Sequence, residues 1–261
     1  MSRSIVITSG KGGVGKSSMA VCIGRELALR GKRTVLVDTD VGLNNLDVIM
    51  AVENRTVYDL YDVAKGRCRL SQALIQDKEQ PLLHLITTKG FKNDLPSEFL
   101  KKSVTVLKNK FDYVFIDCPA GIDEGFHRAV KAADEAIVIT TPHVSAIKDA
   151  SIVINILRSY SFSKISYVLN RVRGDMVVNS TMAKVSDVSE TLDIFPIGVV
   201  PESDGINMLS SVGDSLSNGD GVKAIKVMCD NIENSTNTVF DITKRYKGIL
   251  GAVRRMIKNK I

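Results

Sequence analysis

The chain has 261 residues, 44% of them hydrophobic and 25% charged, and carries a net charge of +6. That composition excludes a disordered chain and suits one large α/β core, while no apolar run reaches the ~18–20 residues that span a bilayer. The charge is local: residues 242–261 hold Lys244, Arg245, Lys247, Arg254, Arg255, Lys258 and Lys260 and no acid, which leaves residues 1–241 at −1, so the body offers no broad basic surface for nucleic acid.

In chain order, the first apolar segment is Ser4–Thr8. It is too short and turns too soon for a signal peptide, and reads as a strand. Gly10-Lys11-Gly12-Gly13-Val14-Gly15-Lys16-Ser17 follows and fits G-x-x-x-x-G-K-[ST], with a helix expected over 16–30. A strand entering and a helix leaving is the context that pattern requires. The glycines let successive backbone N–H groups turn toward phosphate oxygens at a helix N-terminus, so the donors run from Gly10 to Ser18. Lys16 is expected on the β- and γ-phosphates, and the Ser17 hydroxyl on Mg²⁺. A plain phosphate loop has no need of Lys11. From the start of the loop it reaches poorly to its own phosphates and better to those of a facing subunit, as an arginine finger does in trans.

The next strand, Arg33–Val37, ends in Asp38-Thr39-Asp40. Carboxylates at the C-terminal edge of a parallel sheet stand where such sheets bind ligands. Asp40 is assigned to orienting the attacking water and Asp38 to the metal shell. Further strands are expected at Leu82–Thr87, Tyr113–Ile116, Ala136–Thr140, Ile165–Leu169 and Pro196–Val200, and further helices near 57–65, 96–109, 124–132, 145–159, 180–191 and 222–238. The strands are apolar on successive residues, as in a parallel sheet buried on both faces. The alternation predicts a single doubly wound, mostly parallel sheet flanked by helices. Asp117 closes one apolar strand and should hold Mg²⁺ through water; Cys118-Pro119-Ala120-Gly121 then forms a tight turn able to sense the γ-phosphate. Residues 203–221 read as a surface loop. Cys22, Cys68, Cys118 and Cys229 lack metal or disulfide spacing and read as thiols of a reducing compartment, and His84, His127 and His143 are isolated.

A boundary is expected at 240/241, between an ATPase body (1–240) and a tail (241–261). In the tail, Tyr246, Ile249, Leu250, Val253, Met256 and Ile257 recur at helical spacing, with Lys247, Arg254, Arg255 and Lys258 beside or opposite them. A basic amphipathic helix reads as an element for an anionic membrane surface. Phosphate binding to DNA would need the charges but not the apolar stripe. Each basic residue contributes roughly 1 kcal/mol near an anionic leaflet, so one tail binds reversibly, and pairing two tails gains ~10²-fold from effective concentration.

Lys11-Gly12-Gly13-Val14-Gly15-Lys16-Ser17 resembles the deviant phosphate loop of the MinD/ParA ATPases, in which the extra lysine is the mark. Residues 42–50, 53–60, 117–122, 140–142 and 198–202 resemble the septum-placing branch of that family; Asn44, Asp123 and His143 depart from its usual residues. The resemblance implies a P-loop NTPase fold, ATP and Mg²⁺ as cofactors, and adenine contacts from Asn170, Arg171, Pro201 and Glu202. It also implies an ATP-dependent homodimer, a cytoplasmic protein peripheral on the inner face of the cell membrane, and placement of the division septum. The partners implied are a MinC-like division inhibitor and a MinE-like activator. Flagellar-placement ATPases and ParA-like DNA-segregation ATPases are the alternatives within the same superfamily, and the near-neutral body argues against the second.

Overall fold

Eight strands form one sheet in the order β3-β4-β2-β5-β1-β6-β7-β8. The computed structural model describes residues 2–40, 46–88, 95–202, 219–248 and 251–252. The strands are β1 (Arg3–Thr8), β2 (Thr34–Asp38), β3 (Ile75–Gln76), β4 (Leu83–Ile86), β5 (Tyr113–Asp117), β6 (Glu135–Thr140), β7 (Lys164–Val172) and β8 (Pro196–Pro201). All pair in parallel except β3, which runs antiparallel along β4 at the edge. Every strand expected from its apolar run is present. β3 was not anticipated, because two residues carry no periodicity to read.

The helices divide between the two faces. On one, α1 (Lys16–Leu29) and α9 (Asp220–Asn234) cover Ile5, Ile7, Leu36 and Phe115. On the other, α4 (Ser97–Lys108), α5 (Glu124–Val130), α6 (Val144–Leu157) and α8 (Val185–Leu192) cover Val6, Val35, Val114 and Ile116. The alternation Ile5/Val6/Ile7 supplies one core each way, which is why the strands read as continuous apolar runs. Between them lie the short helices α2 (Leu46–Ile49), α3 (Leu60–Ala64) and α7 (Gly174–Val178); α2 and α7 were not anticipated from the sequence.

The sheet order places β1 at the centre, with β2, β4 and β5 to one side and β6, β7 and β8 to the other. The loop after β1 therefore opens where successive crossovers part to either side, the crevice in which doubly wound folds bind ligands.

Two boundaries differ from expectation. The last body helix, expected to 238, ends at Asn234, with Ser235 in the left-handed region at φ 56°. Buried Asn231 ends it: its Oδ1 accepts from Thr236 Oγ1 (2.7 Å) and Thr238 N (3.0 Å), and its Nδ2 donates to the Ile197 (2.9 Å) and Thr238 (2.6 Å) carbonyls. Four bonds to one amide outweigh another helical turn through β-branched residues. At its other end this helix starts at Asp220, inside the loop expected over 203–221; residues 203–218 lie outside the described residues.

The start of the tail is built into the body. Ile242 is buried in the same core as Val6 and Ile116, and Arg245 pairs with Asp220 at 2.7 Å. Lys244–Tyr246 is a 3-10 turn, Lys247 is extended (ψ 155°) and Gly248 has φ +72°, so the continuous helix expected through Tyr246 is corrected: the helix is broken between Tyr246 and Gly248, and among the residues after Lys247 the structure describes Gly248, Gly251 and Ala252 as helical. A Cβ on Gly174 would lie 2.2 Å from the Ile242 carbonyl oxygen, so only glycine admits the tail root against α7. Half-buried Tyr246 packs against the same glycine, and exposed Lys247 reaches Asp241 at 3.4 Å. Ile249, Leu250, Val253, Arg254, Arg255, Met256 and Ile257 lie outside the described residues. Among those described, no helix is long and apolar enough to cross a membrane.

Candidate functional site

Two loop glycines take backbone angles that side chains resist: Gly13 (φ +77°) and Gly15 (φ +94°). Gly15 is the N-cap of α1 and makes no side-chain cap bond, so the N–H groups opening the helix face the loop interior as donors for an anion. Gly10 passes so close to α6 that a Cβ there would meet the Asp149 carbonyl carbon at 2.5 Å.

The loop's two lysines occupy opposite environments. Lys16 is buried, with Nζ 2.8 Å from Asp117 Oδ1 and 3.5 Å from Ser17 Oγ. Burial would push its amine down, but the charge and hydrogen bond of Asp117 hold it above the ordinary lysine value. Lys11 is exposed, and its Nζ contacts Ser145 Oγ on α6 at 3.4 Å, away from the carboxylates.

Asp38 and Asp117 stand side by side on β2 and β5, directly in register. Asp38 is pushed up to about 8, first by burial and then by the charge of Asp117, against the pull of two backbone N–H groups and Lys16. Those N–H groups belong to Asp40 (3.0 Å, to Oδ1) and Leu46 (3.4 Å, to Oδ2), which hold the carboxyl in place. Asp40 is half-buried and also raised, chiefly by burial, with Lys16 opposing. Thr39 donates through both N and Oγ1 to the Asp117 carbonyl (3.0 and 2.7 Å), tying the two strand ends together.

Two buried carboxyl groups share one ammonium, so the site is short of a positive charge. A small hard cation with oxygen ligands fits that donor set, and Asp38, Asp117 and Ser17 are the residues that would hold Mg²⁺, with phosphate oxygens and water completing the shell. Among the described residues no cluster of three or more His, Cys, Asp or Glu side chains forms a metal centre unaided.

The structure also brings Asn170 to the loop. Its Nδ2 donates to the Val14 carbonyl at 2.8 Å and would stand 2.5 Å from a Cβ on Gly15. Arg171 is exposed with a left-handed backbone (φ 57°), and Glu202 N donates to the Val172 carbonyl at 3.0 Å, so half-buried Pro201 and exposed Glu202 end β8 beside the end of β7. Asn170 of β7 thus borders the phosphate loop, and the end of β8 lies beside the end of β7.

Sequence reasoning missed several supporting residues. Ser9 Oγ donates to the Lys11 carbonyl at 3.0 Å, while its own carbonyl accepts from Gly121 N at 3.3 Å, joining the phosphate loop to the turn after β5. Asp123 caps α5 by accepting from Phe126 N at 3.2 Å, which fixes the far end of that turn. An Asp ahead of a helical segment is a readable cap signal; the long-range contacts of Ser9 with Gly121 and of Ser145 with Lys11 have no local signal. Burial pushes the Cys118 thiol up to about 12, as expected of a packing residue and not of a nucleophile.

Comparison with known proteins agrees with this geometry. A family model described as an AAA domain matches residues 2–166. The septum site-determining protein MinD of Bacillus subtilis is 43% identical over 221 residues, covering 83% of this chain and 82% of its own length. The septum site-determining protein MinD of Synechocystis sp. is 38% identical over 263 residues, covering 98% and 99%. Among solved structures, the MinC:MinD cell division protein complex of Aquifex aeolicus superposes with a TM-score of 0.84 at 36% identity, covering 90% of this chain and 97% of that one.

Proposed function

The chain belongs to the MinD family of septum site-determining ATPases, and from that premise we propose that ATP joins two copies of it, that the dimer attaches to anionic lipid through its tails, and that it recruits a MinC-like division inhibitor. Within one subunit, Lys16 and the N–H groups from Gly10 to Ser18 bind the triphosphate, Ser17, Asp38 and Asp117 hold Mg²⁺, and Asp40 orients the attacking water. Mg²⁺ supplies positive charge where the phosphoryl group is transferred. Asn170, Arg171, Pro201 and Glu202 border the base. A MinE-like activator, where present, accelerates hydrolysis and so releases the membrane.

The observation that carries this reading is the division of labour between the lysines. Lys16 is sequestered by Asp117, whereas Lys11 lies outside on Ser145 with its ammonium exposed. A lysine that serves only its own subunit has no reason to project from the loop; one that crosses to a partner's phosphates does. Nucleotide-linked pairing then doubles the tails facing the membrane, and avidity does the rest.

The test is sedimentation with phosphatidylglycerol vesicles in ATP and in ADP, comparing the full chain with one ending at Gly248, which keeps Ile242, Arg245 and Tyr246 on the body. ATP should enhance pelleting of the full chain only. Equal pelleting in both nucleotides, or of the shortened chain, defeats the switch.

A further inference from the structure

The sheet edge opposite the phosphate loop carries a second arrangement of charge and apolar surface. There Arg3 opens β1, Tyr113 opens β5, Glu135 opens β6 and Lys164 opens β7; the registers set Arg3 beside Tyr113 and Glu135 beside Lys164. Phe195 immediately precedes β8 and is 71% exposed. A polar cavity of about 870 Å³ opens onto Arg3, Tyr113, Glu135 and Lys164. An adjoining cavity of about 650 Å³ shares Lys164 as its wall and is lined by Ile165, Ile194 and Phe195.

The charges along this edge are unequally used. Glu135 gives its two oxygens to Arg3, both at 2.6 Å. Asp112 is taken by Arg33, Glu233 by Arg30 and Lys32, and Asp193 by Arg158. The Lys164 ammonium makes no hydrogen bond or ion pair among the described residues, although the side chain is half-buried. Burial and the neighbouring Arg3 push its amine below the ordinary lysine value, against the pull of Glu135, so an anion placed there would relieve an unfavourable setting. Glu190 stands exposed on the rim of the second cavity and disfavours a further carboxylate at that end.

We propose that this edge is a docking groove for an extended partner polypeptide, which places a carboxylate on Lys164 and an adjacent apolar side chain against Ile165, Ile194 and Phe195. Charge complementarity identifies the occupant: one cation that makes no hydrogen bond or ion pair among the described residues stands between a polar and a more apolar cavity, with an acid beyond. Strand spacing of ~4.8 Å makes the row from β1 to β8 about 14 Å long, which about four extended residues span. A buried aromatic contact beside one charge pair is the usual composition of a small peptide site. The groove lies on the far side of the sheet from the nucleotide, so both can be engaged together.

The experiment selects displayed random peptides on the full-length protein, with parallel selections on Lys164→Glu and Phe195→Ser. Neither residue belongs to the nucleotide site, and unchanged ATP hydrolysis certifies each variant as folded. Peptides enriched on the unaltered protein should carry Asp or Glu next to Phe, Leu or Ile, and should bind about fivefold more weakly to Lys164→Gln and about tenfold more weakly to Phe195→Ser. Lys164→Glu should exchange the acidic preference for Lys or Arg, a reversal that a purely structural role would not produce. Enrichment without an acidic residue, or equal binding to all variants, overturns the proposal. Displacement of the selected peptides by millimolar phenylpropionate reassigns the groove to a free organic acid and likewise overturns a polypeptide occupant.

Discussion

Lys16 and Asp117 close a buried ion pair of 2.8 Å between the phosphate loop and β5, and Asp38 crowds the same carboxylate from the neighbouring strand. The arrangement is poised and not relaxed: two acids compete for one cation in a site that water scarcely reaches. Such strain is expected where a ligand will supply the missing charge.

Removing the crowding acid should therefore separate stability from function. Asp38→Asn is expected to stabilise the nucleotide-free protein by about 1 kcal/mol, because a carboxyl whose charged form the site disfavours is replaced by a neutral amide. It should also weaken Mg²⁺-dependent ATP binding. Urea denaturation and ATP titrations with and without Mg²⁺ measure the two effects; a destabilised variant would show that Asp38 is a net asset to the empty fold.

Lys11→Ala should leave stability within about 0.5 kcal/mol, since its one recorded contact is exposed and 3.4 Å long. ATP affinity of the monomer should change little, yet ATP-dependent dimers should vanish in sedimentation velocity. Dimers of normal affinity would remove the trans role. Lys16→Ala, by contrast, should impair nucleotide binding itself.

Asn170→Ala deletes the buried bond to the Val14 carbonyl. We expect a loss of about 1–3 kcal/mol by chemical denaturation, together with weaker ATP binding, because the carbonyl keeps its burial and loses its donor. Weaker nucleotide binding with unaltered stability would make Asn170 a ligand contact alone.

A fourth expectation concerns acid. Burial lowers His84 below the ordinary value of 6.5, its Nδ1 has no hydrogen-bond partner, and its ring meets Phe111 edge-on at 5.3 Å. The unfolded chain binds this proton more readily. The contribution to stability is thus complete above about pH 6.5 and declines as pH falls from there toward the folded value. His84→Phe keeps the aromatic contact and should flatten that part of the stability profile, as read by denaturant midpoints between pH 5 and 7; an unchanged slope would assign the acid loss elsewhere.

Much of this was legible in the residues themselves. The seven longer strands announced themselves because two-sided burial leaves little room for polar residues, and the phosphate loop because glycines, lysine and serine stand at fixed spacing between strand and helix. What escaped was long-range or very short. Asn170 lies 156 positions from the carbonyl it holds, and no local pattern encodes that meeting. Ser145 gains its meaning only from the approach of Lys11, and β3 from the strand it pairs with. The tail illustrates the opposite error: its apolar period begins at Tyr246, but tertiary packing on Gly174 takes that residue for the body and breaks the helix before it can start.

The docked root at Ile242 and Gly174 also sets a leash length. Ile242, Arg245 and Tyr246 fasten residues 242–246 to the body, which takes about 17 Å of extended chain out of any leash that begins there. On the reading proposed above, a tail pinned through its first turn would hold the ATPase close over the lipid and let it turn through only a narrow range.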